Sequence, residues 1–239
     1  MKRMDSLRVY NIKNKNKIRL GKDYDGGYVI YDFDNYDKLI GCGVLDDISF
    51  EADFIKKYGV DCTVYDGTIN KLPYIHPNIK FIRKNISHRN TPTHTNLNDE
   101  FKNYNNIFLK MDIEGHEVKW LLNLTKENLS KIKQCVIEFH NPLACHPRGL
   151  FTNIEKFNAI QKLNETHLMC HFHGNNGGGA GVMGRYDNVV IPNTFEVTFV
   201  RKSDIKEYHN NKERLPCSLD MPNGKNMPDI NLNYYPFVW

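Results

Sequence analysis

One stretch constrains the fold more than any other: Phe108-Leu-Lys-Met-Asp112-Ile-Glu-Gly-His-Glu117. An apolar run ends in an acid, Gly115 follows, and a helix-forming pattern begins. A short apolar run bounded in this way reads as a parallel strand buried on both faces. Such a strand carries Asp112 to the carboxyl edge of a sheet, where α/β proteins place their ligand crevice.

The surrounding chain alternates in the same manner. Strands are expected over Lys38–Gly41, Asp61–Tyr65, Ile79–Ile82, Asn106–Met111, Cys135–Phe139, His167–His173 and Thr194–Arg201. Helices are expected over Ser49–Tyr58, Glu117–Asn123, Lys126–Ile132 and Thr152–Leu163, the last with Ile154, Phe157, Ile160 and Leu163 at helical spacing. Ser49 is the candidate N-cap of the first helix. The polar stretch His88–Asn98 reads as loop. Alternation predicts an α/β, Rossmann-like fold: a mostly parallel seven-stranded sheet with helices on both faces. The last two strands flank a glycine-rich segment without a helix, so an antiparallel edge strand is expected. Asp25-Gly26-Gly27 between two extended segments reads as a tight hairpin turn needing positive φ. The expected organisation is a single domain, with an N-terminal hairpin or cap over 1–35, a core over 36–202 and an aromatic extension over 203–239. That extension carries Tyr234, Tyr235, Phe237 and Trp239, too many aromatics to leave wet.

Composition narrows the function class. The 239 residues carry a net charge of only +4, with basic residues scattered rather than striped, which argues against nucleic acid. The basic run Lys13–Arg19 reads as a solvated surface. Six cysteines are far apart and form no CxxC pair, so zinc knuckles and thioredoxin motifs are excluded and a reducing compartment is favoured. Met1-Lys-Arg-Met-Asp lacks the apolar region of a signal peptide, and no apolar run reaches the length of a membrane span. A cytoplasmic protein is expected.

Gly41-Cys-Gly43 follows a strand and precedes a helix, so its backbone can approach a ligand closely. Asp66 ends the next strand, 25 residues after Gly41, where a carboxylate can accept ribose hydroxyls; the blander reading is a turn in Asp66-Gly67. With Asp112 on the fourth strand, the combination points to an adenosyl cofactor. NAD is disfavoured because the third glycine of GxGxxG is replaced by Asp46. S-adenosylmethionine has no pyrophosphate and does not need that glycine; Asp46 or Asp47 can face its ammonium. The Gly41–Gly43 turn and Asn85-Ile86 would frame its methionine and adenine parts.

The chain resembles the FkbM-type group of class I S-adenosylmethionine-dependent methyltransferases. The resemblance is carried by Arg19-Leu-Gly, Asp25-Gly-Gly-Tyr28, Gly41-Cys-Gly43 with Asp47-Ile-Ser49-Phe-Glu51, Lys110-Met-Asp-Ile-Glu-Gly-His-Glu117, Ile137-Glu138-Phe-His140, His171-Phe-His173-Gly-Asn-Asn176 and Glu196–Arg201. It implies O-methylation of sugars in polysaccharides, capsules or secondary metabolites. The acceptor would be a sugar, sugar nucleotide or oligosaccharide, and a homodimer is compatible with it. Within these motifs and their neighbours, Tyr28, Gly41, Gly43 and Ser49 are cofactor-binding candidates, as are Asp66, Gly67, Asn85, Ile86 and Asp112.

Methyl transfer to oxygen needs a base or a metal, because an alcohol is a poor nucleophile at neutral pH. Glu138 and His140 are two apart on a strand and share a face. His171 and His173 repeat the spacing, with Asn175 and Asn176 just beyond. In one reading Asp112, Glu138 and His140 hold Mg or Mn, which lowers the pKa of the acceptor hydroxyl. In the other, His140 or His173 is a general base oriented by Glu138 or Asp112, and the catalytic set is Asp112, His140 and His173. Glu114 and Glu117 suit a helix dipole and read as structural; His116 faces either solvent or the cleft. His146 and Arg148 sit on the loop after strand five, and Gly177-Gly-Gly179 is a lid or a simple glycine loop. An N-methyltransferase, a non-catalytic binding module and a metal-dependent hydrolase are the rivals.

Overall fold

The computed structural model describes residues 3–140, 153–177, 183–186 and 189–239. The central strands are β1 (Lys38–Cys42), β2 (Cys62–Tyr65), β3 (Ile79–Ile82), β4 (Ile107–Met111), β5 (Ile132–His140), β6 (His167–Gly174) and β7 (Thr194–Arg201). They form one seven-stranded sheet in the order β6-β7-β5-β4-β1-β2-β3. The helices are α1 (Ser49–Tyr58), α2 (Asn98–Asn103), α3 (Glu117–Asn123), α4 (Lys126–Lys131) and α5 (Asn153–Thr166). The architecture is mixed α/β with a mostly parallel, Rossmann-like sheet, as the alternation predicted. One detail is corrected. The antiparallel strand is not at the edge: β7 is inserted between β5 and β6 and runs antiparallel to both, leaving β6 at the rim.

Every residue of β1, β2 and β4 is buried, which is why these strands read as continuous apolar runs rather than alternations. Successive residues nevertheless feed opposite cores. Leu39, Phe108 and Val136 join one cluster with Phe50 and Phe54 of α1 and the hairpin residues Tyr28 and Ile30. Ile40, Leu109 and Ile137 join the other, with Phe101 of α2, Trp120 of α3, Leu129 of α4 and Phe157 and Ile160 of α5. α1 stops where Gly59 adopts φ 67° and its N–H returns to Ile55 O. Helix α2 was not expected; its six residues fall below the length that periodicity can reveal. β5 starts earlier than expected, because Ile132 turns to extended backbone immediately after α4.

The N-terminal hairpin pairs Lys17–Leu20 with Tyr28–Tyr31. Its connection, 21–27, is wider than a tight turn and is pinned by Arg19 Nη2 donating to Tyr24 O at 2.6 Å. Gly26 takes the positive φ (90°), as does Tyr24 (64°). Side chains of the sheet clip the hairpin down: Gln134 exchanges hydrogen bonds with both backbone groups of Tyr31 (2.8 and 2.9 Å), and Thr198 Oγ1 donates to Val29 O at 2.5 Å. The aromatic tail is packed, with Phe237 fully buried and its ring 4.4 Å from that of Phe172. Trp239 lies beneath the Arg8 guanidinium. Lys13 and Lys17 of the basic run pair with Glu207 and Glu213. Among the described residues no helix is long and apolar enough to cross a membrane. His146, Arg148, Cys145, Gly178 and Gly179 lie outside the described residues.

Candidate functional site

The carboxyl ends of β1, β2 and β4 are laced together by backbone. Gly43 N donates to Tyr65 O and Asp112 N to Cys42 O, both at 2.9 Å. Gly43 has φ +73°, and a Cβ there would lie 1.7 Å from Asp112 O, so only glycine lets the two strand ends meet. After Asp112 the chain reverses through Glu114 (φ 56°) and Gly115 (φ 94°). Buried Glu117 closes this turn, Oε1 accepting from Ile113 N (3.2 Å) and Gly115 N (3.1 Å). The Asp-Ile-Glu-Gly motif is therefore a device for aiming Asp112 off the sheet edge.

Above these strand ends lies a cavity of about 750 Å³. Tyr28, Gly43, Asp66, Asn85, Ile86 and Asp112 line it, so Asp66 and Asp112 face one space rather than opposite sides of the molecule. Three other predicted cofactor residues do not line it. Gly41 packs against Glu51, whose Oε1 a Cβ would approach to 2.7 Å. Gly67 backs the Asn85 side chain, 2.4 Å from a hypothetical Cβ. Ser49 is not the N-cap of α1; Ile48 occupies that place. The Ser49 hydroxyl instead accepts from Lys22 N (2.9 Å) and meets Asp47 Oδ2 (3.1 Å), tying the hairpin loop to the start of α1.

Asp66 is buried and fully engaged. Oδ2 accepts from Val44 N (3.1 Å) and Leu45 N (3.0 Å), and Oδ1 from Thr68 N (2.8 Å) and Thr68 Oγ1 (2.6 Å). A carboxylate has about four lone-pair positions, and all are taken. Burial alone would raise its pKa, but the Thr68 hydroxyl and the three amides hold it below the usual carboxylate range. The expected free ribose acceptor is thus, in this state, the strut that shapes the Gly43–Leu45 turn.

Asp112 is different. Its Oδ1 is buried without a hydrogen-bond partner, as is Oε1 of Glu51. Burial raises the Asp112 pKa, with Lys110 and His140 pulling the other way. Lys110 is buried beneath the cavity and donates to Gly43 O at 2.6 Å; burial would lower its pKa, but Glu51 and Asp112 raise it. Lys110 and Asp112 are two apart and share a face, and a lysine inside the apolar run Ile107–Met111 was the signal that would have found it.

His140 sits among four carboxylates: Glu117 at 3.4 Å, Glu114 at 3.5 Å, Glu138 at 3.6 Å and Asp112 at 3.7 Å. Burial would lower its pKa, but the Glu117 hydrogen bond and the charges of Glu138, Glu117 and Asp112 push it up to about 9. At neutral pH it is an imidazolium, a donor rather than a base. The metal set predicted from sequence divides between two clusters. Asp112 and His140 group with Glu114, whereas Glu138 groups with Asp25 and Glu196.

His173 has no nitrogen left for a substrate. Nδ1 bonds Glu196 (3.2 Å) and Nε2 bonds Asp229 (3.0 Å), and the side chain is buried. Burial opposes its charge, but Asp229 and Glu196 outweigh it, and its pKa is well above the ordinary value. His171 is likewise buried against Asp220 at 2.8 Å. Sequence spacing gave these two histidines a face in common; it did not reveal Asp220 and Asp229, which arrive from the tail. His116 lines the cavity, as do His88 and His94 from the stretch read as plain loop.

No family model matches the chain, and no curated protein matches it. Among solved structures the chain is similar to a proposed hemolysin from Streptococcus thermophilus, at 7% identity and a TM-score of 0.40, over 70% of this chain and 60% of that one. It is also similar to a proposed methyltransferase from Thermoplasma acidophilum, at 11% identity and a TM-score of 0.34, over 75% of this chain and 79% of that one. The chain thus spans about 60% of the length of the first. At these scores neither likeness assigns an activity.

Proposed function

We propose that this protein is an S-adenosylmethionine-dependent methyltransferase acting on a hydroxyl of a carbohydrate or sugar conjugate. The observation that carries the reading is the meeting of Gly43, Asp66 and Asp112 at one cavity above the ends of β1, β2 and β4. A volume near 750 Å³ is in the range of small-molecule sites. Buried carboxylate oxygens without partners at Asp112 and Glu51 suit a ligand that brings an ammonium and hydroxyl groups. The motif resemblance supplies the acceptor class.

S-adenosylmethionine, when bound, supplies an electrophilic methyl group. Gly43 lets the β1 and β4 ends meet beneath it, Asn85 and Ile86 flank its nucleoside part, and Asp46 or Asp47 faces its ammonium. Asp66 shapes the Gly43–Leu45 turn, and the bond it receives from exposed Thr68 is the one it exchanges for a ribose hydroxyl. Asp112, raised in pKa and without a hydrogen bond at Oδ1, accepts the proton of the acceptor hydroxyl. His140, charged and 3.7 Å away, holds Asp112 in place and stabilises the acidic rim. Calorimetry with S-adenosylhomocysteine tests the cofactor assignment: one site per chain is expected, and the absence of both binding heat and a rise in melting temperature would remove it.

A further inference from the structure

Two opposite charges are buried in the wall of the cavity, and neither is satisfied by the other. Lys110 is the parallel-pair partner of Gly41 across β4 and β1. Gly41 has no side chain, and the Glu51 carboxylate from α1 occupies that space: a Cβ on Gly41 would come within 2.7 Å of Oε1. Strand pairing and the missing side chain thus bring Glu51 and Lys110 to one part of the floor. Glu51 is 1% and Lys110 5% exposed, yet both line the cavity.

Burial of such groups is normally offset by pairing. Here the offset is incomplete. Lys110 Nζ carries three N–H groups and uses one on Gly43 O, at 2.6 Å; among the described residues it makes no ion pair. Glu51 Oε1 is buried with no hydrogen-bond partner. The neighbouring Asp47 is different. Its Oδ1 accepts from Ser49 N (3.0 Å), and its Oδ2 accepts from Ser49 Oγ (3.1 Å) and pairs with Lys22 at 3.3 Å. The unused valence therefore lies deeper, at Glu51 and Lys110, and it has both signs. A simple cation would suit Glu51 but be repelled by Lys110, and a simple anion would suit Lys110 but be repelled by Glu51. An α-amino-acid group carries an ammonium and a carboxylate on one carbon and answers both. From this geometry we infer that Glu51 and Lys110 form a subsite for the α-amino-acid end of the cofactor, Lys110 donating to its carboxylate and Glu51 accepting from its ammonium. The subsite rests on the methyl-donor reading above and adds a specificity to it: an intact amino-acid end is selected over the bare thionucleoside. An ammonium has three N–H groups, so one that faces Asp46 or Asp47 still has a donor for Glu51. Asp112 Oδ1 stays available to the acceptor hydroxyl.

The test is calorimetry on the full chain with two probes, S-adenosylhomocysteine and 5′-methylthioadenosine, which keeps the thionucleoside and lacks the amino-acid group. Wild type is expected to bind S-adenosylhomocysteine about a hundredfold more tightly, from two charged contacts of about tenfold each. Glu51→Gln keeps the shape and Lys110→Met the length of the side chain. Each is expected to weaken S-adenosylhomocysteine about tenfold and to leave 5′-methylthioadenosine within about threefold of wild type. Should one variant fail to fold, the other carries the comparison; should both fail, the wild-type ratio of the two probes decides. Wild-type affinities within about threefold of each other overturn the subsite. So does unchanged S-adenosylhomocysteine binding in a folded variant, or an equal loss of both probes, which reports a damaged cavity rather than a lost contact. Binding of neither probe to wild type overturns the cofactor reading itself, and that outcome is distinct from two probes that bind alike.

Discussion

Asp66 and Glu138 are both buried carboxylates near the carboxyl edge of one sheet, and they do opposite things. Asp66 accepts four hydrogen bonds from its own and the adjacent turn, and its pKa falls. Glu138 receives one amide hydrogen bond, has Asp112 and Glu196 for neighbours, and its pKa rises well above the ordinary value through burial and those charges. The first acid is satisfied by the fold, so it contributes stability. The second is buried between two like charges that Asn175 and His140 only partly offset, so its burial costs stability. The cofactor side of the cavity is thus built of backbone and local turns, and the β5–β7 side of converging side chains.

The contrast breaks most readily at Gly43. Gly43→Ala meets the Asp112 carbonyl and a left-handed φ at once, and should lower unfolding free energy by about 3 kcal/mol or prevent folding. A denaturant titration that finds less than half of that would mean the β1 and β4 ends are not held as described. Next in size is Asp66→Ala. It strands the amides of Val44, Leu45 and Thr68, and a loss of about 2 kcal/mol near neutral pH is expected.

The pH dependence sharpens that same prediction. A depressed folded-state pKa contributes stability above the unfolded value, 3.8, and loses it as pH falls through the folded value. The gap between wild type and Asp66→Ala should therefore be constant above about pH 5 and close in more acidic solution. A gap that persists undiminished at low pH would show that the carboxylate charge is not what matters. The smallest effect is expected at Glu138→Gln, which keeps the shape and removes a charge. Its stability should equal or exceed wild type within about 1 kcal/mol. A large loss in chemical unfolding would instead make Glu138 a structural acid like Asp66.

Legibility in the sequence follows the same division. Strand β4, the Asp112 terminus and the extent of α1 are local patterns, and they appear in the structure at the expected positions. The cofactor motif was legible in part: Gly43 lines the cavity, whereas Gly41 and Gly67 pack against side chains and Ser49 ties a loop. The imidazole roles were the least legible. A spacing of two shows that His171 and His173 share a face, but not that tail residues Asp220 and Asp229 occupy their nitrogens.

By itself, the sequence determined the alternation of buried strands and helices, and with it an α/β sheet whose edge presents Asp112. Those properties depend on periodicity and on residues a few positions apart. Only the tertiary structure decided that β7 enters between β5 and β6, which sets Glu196 against Glu138. It alone brought Asp25 and Asn223 to the same acids from opposite ends of the chain. The physical reason is that a side chain's charge state and free valence depend on neighbours far away in sequence, and only packing specifies those neighbours.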